Sequence, residues 1–212
     1  MPDVTVLYED RRGPTNEFGL HNLVTACVAD VLGGTQWHWA RTIECRPVKG
    51  SGNLVQDCHA DAVDIAWEGR RVIAVFDSDR IRELLGLRGD TDEAELRHAI
   101  DAALSPTEHF RVFLLERNQE SVLEAAIGCG LRASVTERER AIVRKKPGVR
   151  DKLMMRAAAG AKDVRDCILR TIPSLAAVVR HLVEAVAKPV SGSVDGTPMQ
   201  ETEAGSDIDV DA

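Results

Sequence analysis

Five cysteines are spread over 212 residues, and no two of them form a C-x-x-C pair. Cys27, Cys45, Cys58, Cys129 and Cys167 are scattered and odd in number, which predicts reduced thiols and argues against a disulfide scaffold or a zinc finger. The six histidines show neither H-x-x-x-H nor H-x-H spacing, so no histidine-based metal site is expected. No apolar run approaches the roughly 20 residues that span a bilayer, so no membrane role is expected. The N-terminal stretch MPDVTVLYED lacks the basic and apolar regions of a signal peptide, which predicts a cytoplasmic protein. Internal repeats are absent as well.

What is present reads as globular: 44% hydrophobic and 29% charged residues. The net charge of −7 is concentrated at one end. From Pro189 onward there are six acids (Asp195, Glu201, Glu203, Asp207, Asp209, Asp211) and no Lys or Arg. Without that segment 28 acidic residues face 27 basic ones, so the body is near neutral. Small, polar and like-charged, residues 189–212 are expected to form a disordered acidic tail.

Along the body, Val4–Tyr8 is a short apolar run and predicts a strand. Phe18–Leu32 carries Leu20, Leu23, Val24, Cys27, Val28 and Val31 at spacings of three and four, an amphipathic helix closed by Gly33-Gly34. Gln36–Cys45 alternates and is rich in aromatics, predicting a second strand with His38 on its outer face. Helical spacing returns over 53–67, a third strand covers Arg71–Phe76, and Thr91–Leu104 is a helix with Thr91 as its N-cap. Phe110–Leu115 is a fourth strand, followed by a helix from about Asn118. Alternating strands and helices predict an α/β, Rossmann-like core with a mostly parallel four-stranded sheet flanked by helices. The expected organisation is a core over 1–135, a helical annex over 136–188 packed on it, and the tail.

Three of the four strands run into acid: Glu9-Asp10, Asp77-x-Asp79, and the segment Glu116-Arg-Asn-Gln-Glu120. In an open parallel sheet all of these crowd the carboxyl rim, where ligands bind. Crowded carboxylates raise one another's pKa unless something neutralises them. Mg²⁺, a hard cation that takes one or two carboxylates with water and phosphate oxygens, does this well. The basic residues Arg11, Arg12, Arg80, Arg82 and Arg117 flank the same rim in sequence, and Arg suits phosphate. A second group, Arg144, Lys145, Lys146, Arg150 and Lys152, would track a nucleic-acid backbone.

The motifs VTVLYED, VIAVFDSDR and ERNQESVLEA, with the later KPGVRDKLMM and IPSLAAVVRHLVEAV, together resemble small stand-alone proteins of the TOPRIM/OLD-type nuclease family, some linked to anti-phage defence. The resemblance spans roughly residues 4–187. It departs where Asp10-Arg11-Arg12 replaces the usual Gly and where Val122 replaces a frequent Trp. It implies Mg²⁺- or Mn²⁺-dependent phosphodiester hydrolysis of DNA or RNA. Glu9, Asp77 and Asp79 would be catalytic and metal-binding, with Glu120 or Glu116 completing the metal shell. Arg11, Arg12, Arg80, Arg117, Lys145 and Lys146 would meet substrate phosphate, and a protein partner or homo-oligomer is expected. Tyr8, the one tyrosine, lies in a strand, so a topoisomerase nucleophile is not expected. FDSDR also resembles the first motif of haloacid-dehalogenase-type phosphatases, although that motif normally sits on the first strand. The alternative of another class is a non-catalytic TOPRIM-like subunit that binds through the same rim.

Overall fold

The computed structural model describes residues 3–9, 18–48, 54–116, 119–131, 135–142 and 146–187. Arg11, Arg12, Arg117, Arg144, Lys145 and the segment 189–212 lie outside the described residues. The described strands are β1 (Val4–Glu9), β2 (Ile43–Val48), β3 (Arg71–Asp77) and β4 (Phe110–Leu115). They form one four-stranded sheet, ordered β2-β1-β3-β4, in which every pairing is parallel. The fold is therefore α/β with an all-parallel sheet flanked by helices.

Side-chain alternation along each strand divides the core in two. Val4, Val6 and Tyr8 of β1, with Ile73 and Val75 of β3, face one layer. Leu7, Val72, Ala74 and Phe76 face the other. Both faces are apolar, as a sheet covered on two sides requires. Helices α3 (Leu54–Trp67), α4 (Ser78–Leu84) and α5 (Glu93–Leu104) cover the second face, supplying Cys58, Ala62, Ile81, Leu96 and Ile100. Helices α1 (Gly19–Leu32), α6 (Gln119–Gly128), α8 (Pro147–Ala159), α9 (Lys162–Thr171) and α10 (Pro173–Ala187) build the first layer. Each fully buried Leu, Ile or Phe there contributes about 2 kcal/mol.

The C-terminal helices share this layer's core. Leu153, Met154 and Ala157 of α8 and Val178 and Leu182 of α10 lie in the same cluster as β1 and α1. The approach of α8 is tight: a Cβ on Gly19 would stand 2.5 Å from the Asp151 carbonyl oxygen. Gly19→Ala would force the two helices apart. On the far side, Arg165 of α9 grips Asp30 of α1 with two bonds of 2.6 and 2.7 Å.

Three expectations need correction. Gln36–Cys45 is mostly helical: α2 spans Gln36–Thr42, and the strand begins only at Ile43. Thr35 caps α2 by accepting from the His38 N–H at 3.2 Å, so the local signal is a helix start. The aromatics do not alternate in and out. Trp39 turns back to donate to the Gly33 carbonyl at 2.7 Å, and Trp37 is 62% exposed. His38 therefore sits on a helix, not on a strand face. The helix of 93–104 is capped by Asp92, which accepts from the Glu95 N–H at 2.8 Å, and not by Thr91. Finally, the thiols are not all reduced. Cys129 and Cys167 form a disulfide with their Cα atoms 5.7 Å apart. The pair is 38 residues apart in sequence, and only the packing of α6 on α9 brings it together. Cys27, Cys45 and Cys58 are buried and form no disulfide. Among the described residues, no helix is long and apolar enough to cross a membrane.

Candidate functional site

β1 and β3 lie side by side at the centre of the sheet, and the chain order reverses between them. The crevice at their carboxyl ends is the place where open α/β sheets bind ligands. Glu9 is the last residue of β1 and Asp77 the last of β3. The two are coupled directly, because the Asp77 N–H donates to Glu9 Oε2 at 3.4 Å.

The first turn of α6 arrives at the same point from the third side. Gln119 is 3% exposed, and its side-chain Nε2 donates to the Glu9 carbonyl at 3.0 Å. Its main-chain N–H bonds to the Asp77 carboxylate. Glu120 follows and is held by Arg150 of α8, Nη1 to Oε1 at 2.9 Å. Arg80, one turn into α4, approaches Glu9 with its Nε 3.7 Å from Oε1, and also pairs with Glu83.

Asp77 is the perturbed member. Burial pushes its carboxyl up to about 7, and the negative charge of Glu9 adds to the rise. The Gln119 N–H works against it, Glu120 pushes it further up, and Arg150 pulls it down. Asp77 Oδ1 is buried without a hydrogen-bond partner among the described residues, and so are Gln119 Oε1 and Arg150 Nε. Unsatisfied buried polar atoms are costly, and three at one rim mark a place built for something else. Asp77 is also unusual in its setting: it is the N-cap of α4, yet its side chain makes no capping bond.

Of the residues singled out from sequence, Glu9, Asp77 and Glu120 are therefore brought together. Asp79 is exposed in the first turn of α4. Glu116 is exposed at the end of β4, its main chain tied to Ser174 Oγ of α10 at 3.1 Å. Lys146 is exposed at the start of α8. Among the described residues, no three His, Cys, Asp or Glu form a group that could hold a metal ion. The donor chemistry at Asp77 still suits a hard cation, since its orphaned Oδ1 and the orphaned Gln119 Oε1 are both oxygens that lack a donor.

Gln119 was given no role from sequence, and Arg150 was grouped there with its basic neighbours rather than with Glu120. Gln119 looked like a spacer between Glu116 and Glu120, although a polar residue in the first turn of a helix leaving the rim was a usable signal. Arg150 stands 30 residues from Glu120, and no spacing rule connects them.

No protein-family model, no curated protein and no solved structure matches this chain. What fold and rim define together is an α/β protein with a carboxylate crevice at the switch point of a parallel sheet.

Proposed function

We propose that the protein is a metal-dependent phosphodiesterase acting on DNA or RNA, with Asp77 at the centre of its site. The observation that carries this reading is an Asp77 carboxyl raised by burial to about 7, with its Oδ1 lacking a hydrogen-bond partner among the described residues and Glu9 and Glu120 beside it at the ligand-binding edge of the sheet. Carboxylates displaced in this way are concentrated at functional sites. The TOPRIM resemblance of the three strand-end motifs points the same way.

Asp77, Glu9 and the Gln119 carbonyl would hold a Mg²⁺ or Mn²⁺ ion, with Glu120 next to them. Such an ion, when bound, neutralises phosphate charge and lowers the pKa of water. The chain's own part is to position and to manage charge. The Gln119 main-chain N–H orients the Asp77 carboxylate, and its side chain fixes the end of β1. Arg80 and Arg150 hold Glu9 and Glu120 in place and balance their charge.

A second reading rests on those same two ion pairs. With Arg80 on Glu9 and Arg150 on Glu120, the flanking carboxylates already have cationic partners, as they would in a non-catalytic binding subunit. Incubation of labelled DNA and RNA with Mg²⁺ or Mn²⁺ separates the two. Cleavage by the wild type that disappears in Asp77→Asn supports the phosphodiesterase. Cleavage that survives the substitution overturns it, and a wild type inert on every substrate favours the binding subunit.

A further inference from the structure

A cleft of about 450 Å³ runs along the open edge of β4, between α4, α5 and the start of α10. It begins beside the Asp77 crevice: Ser78 lines it, and so does Leu115, the register partner of Asp77 across β3 and β4. Neighbouring strands lie about 4.8 Å apart, so the two sites are within one strand's width.

The lining has three kinds of surface. Arg82 and Arg97, both half-buried, bring two guanidinium groups. Half-buried Phe113 forms an apolar wall, and Glu93 and Glu116 stand exposed at the rim. The arginines differ from those at the crevice. Arg80 and Arg150 are within 4 Å of carboxylates, whereas among the described residues neither Arg82 nor Arg97 forms an ion pair, although Glu93 and Glu116 line the same cleft. Arg82 reaches only a main-chain carbonyl, that of Ser78 at 3.4 Å, and its Nε has no acceptor among the described residues. Arg97 bonds the Val112 carbonyl at 3.1 Å, so β4's own edge fixes it in place. Two guanidiniums without carboxylates are suited to phosphate. The first turn of α10, with Ser174 in the lining, adds the positive end of a 15-residue helix.

We infer that this cleft binds a nucleotide unit: a phosphate on Arg82 and Arg97, a base against Phe113, and sugar or base donors on Glu93 and Glu116. The volume lies within the usual range for small-ligand sites. This inference rests on the phosphodiesterase reading for its role, as the subsite that grips the nucleotide next to the bond at Asp77. The binding itself does not depend on that reading.

The test is binding of adenosine 5′-monophosphate to the metal-free protein by isothermal titration calorimetry. Adenosine and inorganic phosphate are run alongside, with wild type, Arg82→Gln, Arg97→Gln and Asp77→Asn compared. The nucleotide should bind wild type and Asp77→Asn alike. Arg82→Gln or Arg97→Gln should weaken it about tenfold or more, the loss of one charge-assisted contact. Adenosine should bind at least about tenfold more weakly than the nucleotide, for the same reason. Thermal melting confirms that each variant folds, and Phe113→Leu, which keeps the wall apolar, should weaken the nucleotide but not inorganic phosphate. No binding by folded wild type, or binding unchanged in both arginine variants, overturns the subsite. If nucleic acid is cleaved in an Asp77-dependent way while Arg82→Gln leaves KM unchanged, the subsite fails and the phosphodiesterase stands. If the nucleotide binds as described but nothing is cleaved, the subsite stands and the phosphodiesterase fails.

Discussion

Glu44 enters the sheet near the start of β2 and Asp77 leaves it at the end of β3, so the two carboxylates sit at opposite rims of one structure. Glu44 is fully engaged. It accepts from Thr5 Oγ1 at 3.2 Å and pairs with Arg70, which is itself 9% exposed. Burial pushes its pKa up, but the hydrogen bond and charge of Arg70 outweigh that and hold it below the ordinary value. Asp77 has no such partner on Oδ1, and burial together with Glu9 drives it the other way, to about 7. A carboxylate that serves the fold is given a cation. On the proposed reading, one that forms no ion pair in a crevice is held in readiness for a ligand. On the same reading the amino rim is structural and the carboxyl rim functional.

The most severe way to break this contrast is to remove the ionisable group from the carboxyl rim. Asp77→Asn keeps shape and hydrogen-bonding capacity, and should lower phosphodiester cleavage by about a thousandfold, a few kcal/mol of lost ion-centred stabilisation. Its melting temperature should not fall.

Stability against pH should separate the two acids by sign. A raised folded pKa means that the unfolded chain releases the Asp77 proton near pH 4 while the folded chain keeps it until about 7. The metal-free protein should therefore lose stability as pH rises through that window, by an amount on the order of 4 kcal/mol. Asp77→Asn should abolish the loss in urea melts, and a wild-type profile without it would break the comparison. Glu44 runs the opposite way: its depressed folded pKa contributes stability that is present above the unfolded pKa and lost as pH falls through the folded one.

Arg70→Met should lower stability by about 2 kcal/mol, because Thr5 and Glu44 lose a charged hydrogen-bond partner. Cleavage, measured below the melting temperature, should be unchanged, and a variant that lost activity in proportion would erase the division between the rims. The smallest effect is expected from Arg150→Met. Loss of its positive charge should move the acid limb of the kcat profile up, by less than about one pH unit.

The sheet and its acidic ends were legible because their causes are local. Val4–Tyr8, Arg71–Phe76 and Phe110–Leu115 are β-branched or apolar runs with sharp polar ends, and each forms a strand. The convergence of Glu9 and Asp77 followed from parallel topology alone. What was not legible has nonlocal causes or competing local ones. At Gln36–Thr42 a threonine cap prevailed over aromatic composition. Cys129 and Cys167 are joined by helix packing that no spacing announces. Arg150 was grouped with its basic neighbours, yet its half-buried side chain belongs to Glu120 across 30 residues. Asp79 shared a motif with Asp77, but α4 begins between them at Ser78 and leaves Asp79 exposed.

The charge state of one side chain is decisive, and carbon-detected NMR titration of the Asp77 carboxyl reads it directly. Asp77→Asn identifies the resonance. A pKa near 7 is expected in metal-free protein, falling by about one unit or more in saturating Mg²⁺ as a cation stabilises the carboxylate. An ordinary value near 4 with or without the ion would contradict it.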